Sequence, residues 1–276
     1  GYEVAGVIDA LGPGVEGFSV GDRVLSLTRF GGYTDCAIVP AAHMAPIGDL
    51  SSVKAAAIPV NYLTAWLMLI HLGHVKAGDT VLVHAAAGGV GQAALQICKW
   101  KGAEVIGTAS GPKHERLKAA GVQHCIDYRT QDFQTEVMRV TAGRGVDIVL
   151  DAVGGESFKK SYACLAPMGR LYLFGASSMA PGTKRSVLAA LKGFLKMPTF
   201  KPIPMMNDNR GAHGVNLGHL WDEAPKLTAM LNEILALVHS GAFDPVISET
   251  FPLEKASDAH AYIQARKNFG KVLLTP

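Results

Sequence analysis

Cysteines, charges and long apolar runs are all scarce in this chain of 276 residues. The four cysteines, Cys36, Cys98, Cys125 and Cys164, are scattered, with no CxxC pair among them. That spacing supports neither a disulfide framework nor a structural zinc site, and it suits reduced thiols in a cytoplasmic protein. Charged residues make up 18% of the chain and the net charge is +3. A balance this close to neutral offers no basic surface to a nucleic-acid backbone, and so apolar a composition excludes a disordered chain. The longest apolar stretch, residues 62–72, carries His71 within it and is too short to cross a bilayer. No signal-peptide pattern stands in these residues. The chain opens at Gly1 inside a strand pattern without an initiator methionine, so a missing N-terminal portion is expected.

What is present divides by rhythm. The first stretch reads as β: "EVAGVIDALG", "GDRVLSLT" and "YTDCAIVP" are short apolar runs separated by Gly, Pro and Asp turns. A helical pattern follows, with Ser51 or Ser52 placed to cap its start and Gly73 to close it. From Lys76 the pattern alternates. Strands are expected at 80–84, 104–108, 124–126, 147–150 and 170–175, with helices at 91–101, 113–120, 130–141 and 157–165 between them. Apolar strands alternating with helices imply an α/β fold, a doubly wound parallel sheet covered on both faces. A strand at 211–217 and a helix at 222–240 follow an irregular stretch. Then β character returns in "PVISETFPL", followed by a helix at 256–266 and the terminal strand "GKVLLTP". An α/β unit thus lies inserted between two β-rich pieces expected to join as one domain, and a cleft between such domains is a usual ligand site.

The sharpest local signal is "VLVHAAAGGVGQAALQ", Val81 to Gln96. A strand enters a glycine turn and a helix leaves it. Gly88 would let the backbone approach a pyrophosphate, Gly91 would let the helix pack close to the strand, and the helix N-terminus would face the phosphates. The first glycine of the dinucleotide fingerprint is replaced, giving Ala86-x-Gly88-x-x-Gly91. The alternating context supports the dinucleotide reading over a bare turn. An NAD site usually carries an acid at the end of the second strand. Here that end reads "GTASGPKHER", with Ser110 in the acid's place and Glu104 at the wrong end of the strand. Ser110 and Lys113 offer a hydroxyl and a cation to a 2′-phosphate, and Tyr128 is placed to close the same pocket, so NADPH is the expected cofactor. The plainer reading leaves Lys113 at the start of a solvated helix.

"GYEVAGVIDALGPGVEGFSVGDRV", "HAAAGGVG" and "FGKVLL" together resemble the medium-chain dehydrogenase/reductase superfamily, and within it the zinc-independent quinone oxidoreductases. "NYLTAW", "GTASGPKHE" and "KNFGKVLL" resemble the subgroup of vesicle amine transport protein homologues. The resemblance implies a Rossmann cofactor domain over 58–241, inserted into a GroES-like catalytic domain made of 1–57 and 242–276. It implies cofactor contacts from Ala87, Gly88, Gly89 and Val90, from Val153 and Gly154, and from Phe174, Gly175 and Ala176. Asn61, Thr64, Asn268 and Lys271 would reach the same cofactor, although Asn61 and Thr64 also suit plain helix hydrogen bonding. Zinc members carry Gly-His-Glu where this chain has Gly1-Tyr2-Glu3, and a second cysteine ligand would fall near Val60 and Asn61. No metal is therefore expected, and His43, His71, His74, His84 and His114 read as surface or turn histidines. Without zinc, a quinone or an α,β-unsaturated carbonyl is the fitting hydride acceptor, because its own conjugated carbonyl takes the developing charge. The proton donor is open: Tyr2 and Tyr62 are candidates, and each also suits a packing role.

One segment raises a rival class. In "GTKRSVLAALKGFLKMPTFKPIPMM", Lys184, Arg185, Lys192 and Lys196 interleave with Leu188, Leu191, Phe194 and Leu195. This amphipathic basic pattern suits an anionic membrane surface, and hence a cofactor-binding scaffold with little turnover; it equally suits a flap over a cleft. The expected strand at 211–217 lies at a sheet edge, where pairing with its own copy would give a homodimer.

Overall fold

The computed structural model describes residues 1–179 and 197–276. They cluster into two compact units, 1–66 with 217–276, and 67–216. In the first, β1 (Glu3–Val7), β2 (Arg23–Leu27) and β3 (Met44–Pro46) form an antiparallel sheet in that order. The strand expected in "YTDCAIVP" does not form. The Thr34 hydroxyl donates to the Cys36 carbonyl at 2.7 Å and accepts from the Cys36 N–H at 3.2 Å, a local turn that competes with any ladder. Ile38 is fully exposed, and the third strand forms later, where Met44 and Ala45 are buried. The helical stretch expected up to Gly73 is broken too. Ser51 caps α1 (Ser52–Ala55) by accepting from the Lys54 N–H, and α2 (Pro59–Trp66) restarts at a proline. Leu67–His71 then winds as a π-helix.

The second unit follows the expected alternation. Strands β4 (Thr80–Val83), β5 (Glu104–Ala109), β6 (His124–Asp127), β7 (Val146–Asp151), β8 (Leu165–Leu173) and β9 (Gly211–Gly214) make one parallel sheet. Their order is β6-β5-β4-β7-β8-β9, so the winding reverses between β4 and β7. Helices α3 (Gly89–Lys101), α4 (His114–Ala119), α5 (Phe133–Val140) and α6 (Glu156–Ala163) connect the strands, and α7 (Pro202–Asp208) precedes β9. Leu82, Ile106, Ile126, Val149 and Leu171 from five neighbouring strands form one buried cluster. The inner strands β4, β5 and β7 bury both faces, which is why they read as apolar runs and not as alternations. The edge strand β9 is shorter than expected, because a 3₁₀ turn begins at Leu217.

The chain then returns to the first unit with α8 (Ala224–His239), β10 (Ile247–Pro252), α9 (Ala256–Gln264) and β11 (Lys271–Thr275). β10 and β11 pair in parallel around α9. Helix α8 buries Leu227, Leu231, Ile234, Leu235 and Val238 and packs on α2 and β3. By packing, residues 58–66 and 217–241 therefore group with the β-rich unit, whereas the division drawn from family resemblance puts them with the cofactor domain. Lys271 on β11 pairs with Glu3 on β1, tying the two ends of this unit together. The basic residues Lys184, Arg185, Lys192 and Lys196 lie outside the described residues. Among the described residues no helix is long and apolar enough to cross a membrane.

Asp132 illustrates how one side chain starts a helix. Its Oδ1 accepts from the Thr135 N–H at 2.9 Å at the head of α5, and its Oδ2 pairs with Lys160 of α6 at 2.5 Å. The Lys160 hydrogen bond and the Thr135 amide hold its carboxyl down at about 2. The capping role predominates, since both partners of the ion pair are partly solvated. Asp132→Ala should lower the unfolding free energy by about 1 kcal/mol, and Asp132→Asn, which still caps, by much less. Urea unfolding of the two variants checks the order.

Candidate functional site

The glycine turn leaves the C-terminal end of β4, beside the reversal point, where open parallel sheets form their ligand crevices. Ala85 opens the turn with φ of 51°, a left-handed conformation uncommon outside glycine. Its carbonyl accepts from the Gly88 N–H at 2.8 Å, and Gln92, itself buried, donates back to the Ala86 carbonyl at 3.0 Å. No side chain caps α3, and no acid stands in its first turn. The positive end of this helix is thus left for an anion, as a pyrophosphate requires. A Cβ on Gly91 would lie 2.5 Å from the Ala86 carbonyl oxygen. Gly91 is therefore fixed by the close packing of the helix start on the turn's own backbone. A Cβ on Gly88 would meet only the Ala85 carbonyl oxygen, at 3.2 Å. Ala87 is buried, and Gly88, Gly89 and Val90 are half-buried at the head of α3.

Behind the turn lies a buried polar group. Asp151 ends β7 with no exposed surface. Its Oδ1 accepts from the Val153 and Gly154 amides at 2.7 and 3.3 Å, and its Oδ2 accepts from the Ser157 and Ser161 hydroxyls, both at 2.7 Å. His84 lies between Ser161, 3.0 Å from Nε2, and Thr108, 3.1 Å from Nδ1. The expectation of a surface or turn histidine is wrong here: His84 is 3% exposed, and burial pushes its pKa down against the pull of Asp151. His43 is buried as well, stacked on Trp221 at 3.8 Å, and burial lowers its pKa also. His71 and His74 are exposed and His114 is half-buried.

Other expected residues fall at the same strand ends. Ser110 follows β5 and is buried, without capping the 3₁₀ turn Gly111–Lys113 that it precedes. Lys113 closes that turn with its N–H on the Ser110 carbonyl. Tyr128 follows β6, and its neighbour Asp127 accepts from the Gly111 N–H at 2.8 Å and the Arg129 N–H at 3.0 Å. Those bonds bring Ser110 and Tyr128 to one corner, and no sequence motif marks Asp127's part in it. The loops after β7 and β8 pack against each other. Ser177 and Ser178 donate to the Ala152 and Val153 carbonyls, and a Cβ on Gly154 would lie 2.9 Å from Ala176 Cα. Val153, Gly154, Phe174, Gly175 and Ala176 therefore share one surface. In the first unit, Asn61 and Thr64 are buried in α2, where the Asn61 amide donates to the Ala57 carbonyl at 3.3 Å. The Asn268 amide donates to the Gly270 carbonyl at 3.2 Å, and Lys271 pairs with Glu3. Tyr2 is exposed against Phe30, and Tyr62 is buried against Phe243. A cavity of 570 Å³ lined by Met168, Met205, Met206, Asn209 and Arg210 opens where β9 begins, at the other end of the sheet.

Comparison with known proteins places this geometry. Residues 120–274 match the zinc-binding dehydrogenase family, and residues 1–49 match the alcohol dehydrogenase GroES-like domain. The chain belongs to the medium-chain dehydrogenase/reductase superfamily. It is 41% identical over 278 residues to the synaptic vesicle membrane protein VAT-1 homolog of Danio rerio, covering 100% of this chain and 57% of that relative. It is 33% identical over 284 residues to a 2-haloacrylate reductase of Burkholderia sp., 80% of which is covered. Among solved structures, mycobacterial Rv1454c complexed with NADPH superposes with a TM-score of 0.87 and 34% identity, over 100% of this chain and 82% of that one. Zinc, which the family's name implies, does not fit the donors present. Tyr2, Val60 and Asn61, which the sequence resemblance sets at the ligand positions, are not zinc-binding side chains of the usual kind, and Glu3 already accepts from Lys271 and, at 2.8 Å, from the Val60 N–H. Among the described residues no three His, Cys, Asp or Glu side chains gather as a metal site.

Two measurements test this account. Gly91→Ala should lower the unfolding free energy by about 1–3 kcal/mol through overpacking, while Gly88→Ala costs far less; denaturant titration reads both. The second concerns pH. A buried neutral histidine takes up no proton in the native state, whereas the unfolded chain does so below about pH 6.5. Stability should hold above that pH and fall below it, by up to about 1.4 kcal/mol per pH unit for each such histidine. His84→Asn should flatten the acid limb in part, leaving the share of His43. An unchanged slope would show that His84 is already charged in the native state.

Proposed function

We propose that this protein is an NADPH-dependent, zinc-independent reductase of quinones or related α,β-unsaturated carbonyl compounds. The observation that carries the reading is the pairing of the uncapped glycine turn at α3 with Ser110, in place of an acid, at the end of β5. In this reading Ala87, Gly88, Gly89 and Val90 wrap the pyrophosphate at the head of α3, with the Gly88 N–H kept on the Ala85 carbonyl to hold the turn. Ser110 and Lys113 hold the 2′-phosphate, with Tyr128 closing the corner. Asp127 stands near, but two backbone N–H groups engage its carboxylate, and these hold its pKa below the usual range. Val153, Gly154, Phe174, Gly175 and Ala176 line the nicotinamide side, and Asn61, Thr64, Asn268 and Lys271 are assigned to the same cofactor by family resemblance. NADPH supplies a hydride when bound. The protein's own part is to orient the acceptor, keep water away and place hydrogen-bond donors at its carbonyl.

A conjugated acceptor fits because, among the described residues, no metal ligand set gathers to polarise an isolated carbonyl. Pairing of two chains through the outer edge of β9 belongs to the same reading, since among the described residues that strand pairs only with β8.

Ser110→Asp combined with Lys113→Ala should reduce the preference for NADPH over NADH by about tenfold or more, through loss of charge-assisted hydrogen bonds. Fluorescence titration with each nucleotide measures it, and an unchanged preference overturns the 2′-phosphate assignment. NADPH oxidation against a panel of quinones and enones tests the reaction. Tight NADPH binding without turnover on any of them would favour a cofactor-binding scaffold instead.

A further inference from the structure

We propose that Thr108 and Ser161 are positioning residues for the dinucleotide, acting with His84 and Asp151 as one directed chain of hydrogen bonds that locks the glycine turn to the Val153–Gly154 loop. The proposal rests on the NADPH reading above and adds to it a set of residues that never touch the ligand. Thr108, His84, Ser161 and Asp151 are 2%, 3%, 0% and 0% exposed. They can act only through the loops they hold.

The direction follows from counting protons. Ser161 has one hydroxyl proton, and the 2.7 Å bond to Asp151 Oδ2 takes it. The 3.0 Å contact between Ser161 Oγ and His84 Nε2 must then draw its proton from the imidazole. A neutral ring protonated on Nε2 leaves Nδ1 as an acceptor. Thr108 donates to Nδ1 at 3.1 Å, which frees its oxygen to accept the Ala85 N–H at 3.3 Å. Protonation on Nδ1 alone would leave two lone pairs facing each other at Ser161. Burial favours the neutral ring. The groups around it are the Thr108 hydroxyl from β5, the Ser161 hydroxyl from α6, the Asp151 carboxylate from β7 and the edge-on ring of Phe133 from α5.

Every proton in the chain thus points from Ala85 towards Asp151. The carboxylate closes the path by accepting the Val153 and Gly154 amides and the Ser157 hydroxyl. One end of the chain sits at the strained first residue of the phosphate turn, and the other end at the loop after β7. Both loops carry backbone groups assigned to the cofactor. Loss of the Ser161 hydroxyl leaves the buried His84 Nε2–H unpaired, and loss of the Thr108 hydroxyl releases the Ala85 N–H; either frees the turn to shift.

Two arms test this. In the first, without nucleotide, hydrogen exchange at the Ala85 amide is compared between wild type and Ser161→Ala, with the Val149 amide in β7 as the internal reference. The proposal expects exchange at Ala85 about tenfold faster relative to that reference, although Ser161 does not touch Ala85. Equal exchange overturns the relay whether or not NADPH binds. In the second, NADPH affinity is measured by fluorescence for Thr108→Val, which keeps the shape, and Thr108→Ser, which keeps the hydroxyl. Thr108→Val should bind about tenfold more weakly and Thr108→Ser close to wild type, with the NADPH/NADH ratio unchanged in both because Ser110 and Lys113 are intact. The reverse order would mark Thr108 as a packing residue and overturn the proposal, as would equal affinity in both. If wild type binds no NADPH, the cofactor reading fails and the relay's role in binding falls with it. The exchange arm would still decide whether the two loops are coupled.

Discussion

The C-terminal edge of the parallel sheet depends on the Asp151 carboxylate. A charge with no exposed surface is costly unless its lone pairs are engaged, and Asp151 meets that condition with two amides on one oxygen and two hydroxyls on the other. The four donors fix three pieces of the molecule: two amides hold the loop after β7, Ser157 holds the first turn of α6, and Ser161 holds its second turn and, beyond it, His84 next to β4. Removing the carboxylate would orphan all four donors together. Neighbouring strand ends that carry no common sequence motif are thus held by one group.

Much of the fold was legible because its signals are local. The change from short β runs to strand–helix alternation near Lys76 gave the α/β unit and its connections, and Gly88 and Gly91 gave the turn. The misreadings were also local. "YTDCAIVP" has strand composition, yet a threonine two residues before a cysteine closes a side-chain turn that composition does not reveal. Residues 51–73 keep helical periodicity throughout, and only Pro59 marked the break. What the sequence concealed was long-range. His84 looks unremarkable at the end of an apolar strand, since its partners Thr108 and Ser161 are 24 and 77 positions away. Asp127 and Asp151 end apolar runs in the same way, and nothing nearby announces which amides they take.

In the β-rich unit, Glu3 shows how a position can keep its residue and change its company. It follows Tyr2, where zinc-bearing relatives of this pattern have a histidine. Here its two oxygens are given to Lys271 on β11 and to the Val60 N–H near the start of α2. The carboxylate thus serves as a tie between β1, α2 and the last strand. Asn61, one residue further, turns its amide back to its own helix.

Ala85 carries a last consequence. A glycine would accept its left-handed backbone without strain, but a glycine would also leave the unfolded chain more conformations there. Alanine accepts the strain, and bonds to Thr108 and Gly88 hold it. The turn proposed to meet a phosphate is therefore held at its first residue before any ligand arrives. Little conformational entropy is left to lose on association, so affinity at this turn is governed by the fit of the anion more than by the ordering of the loop.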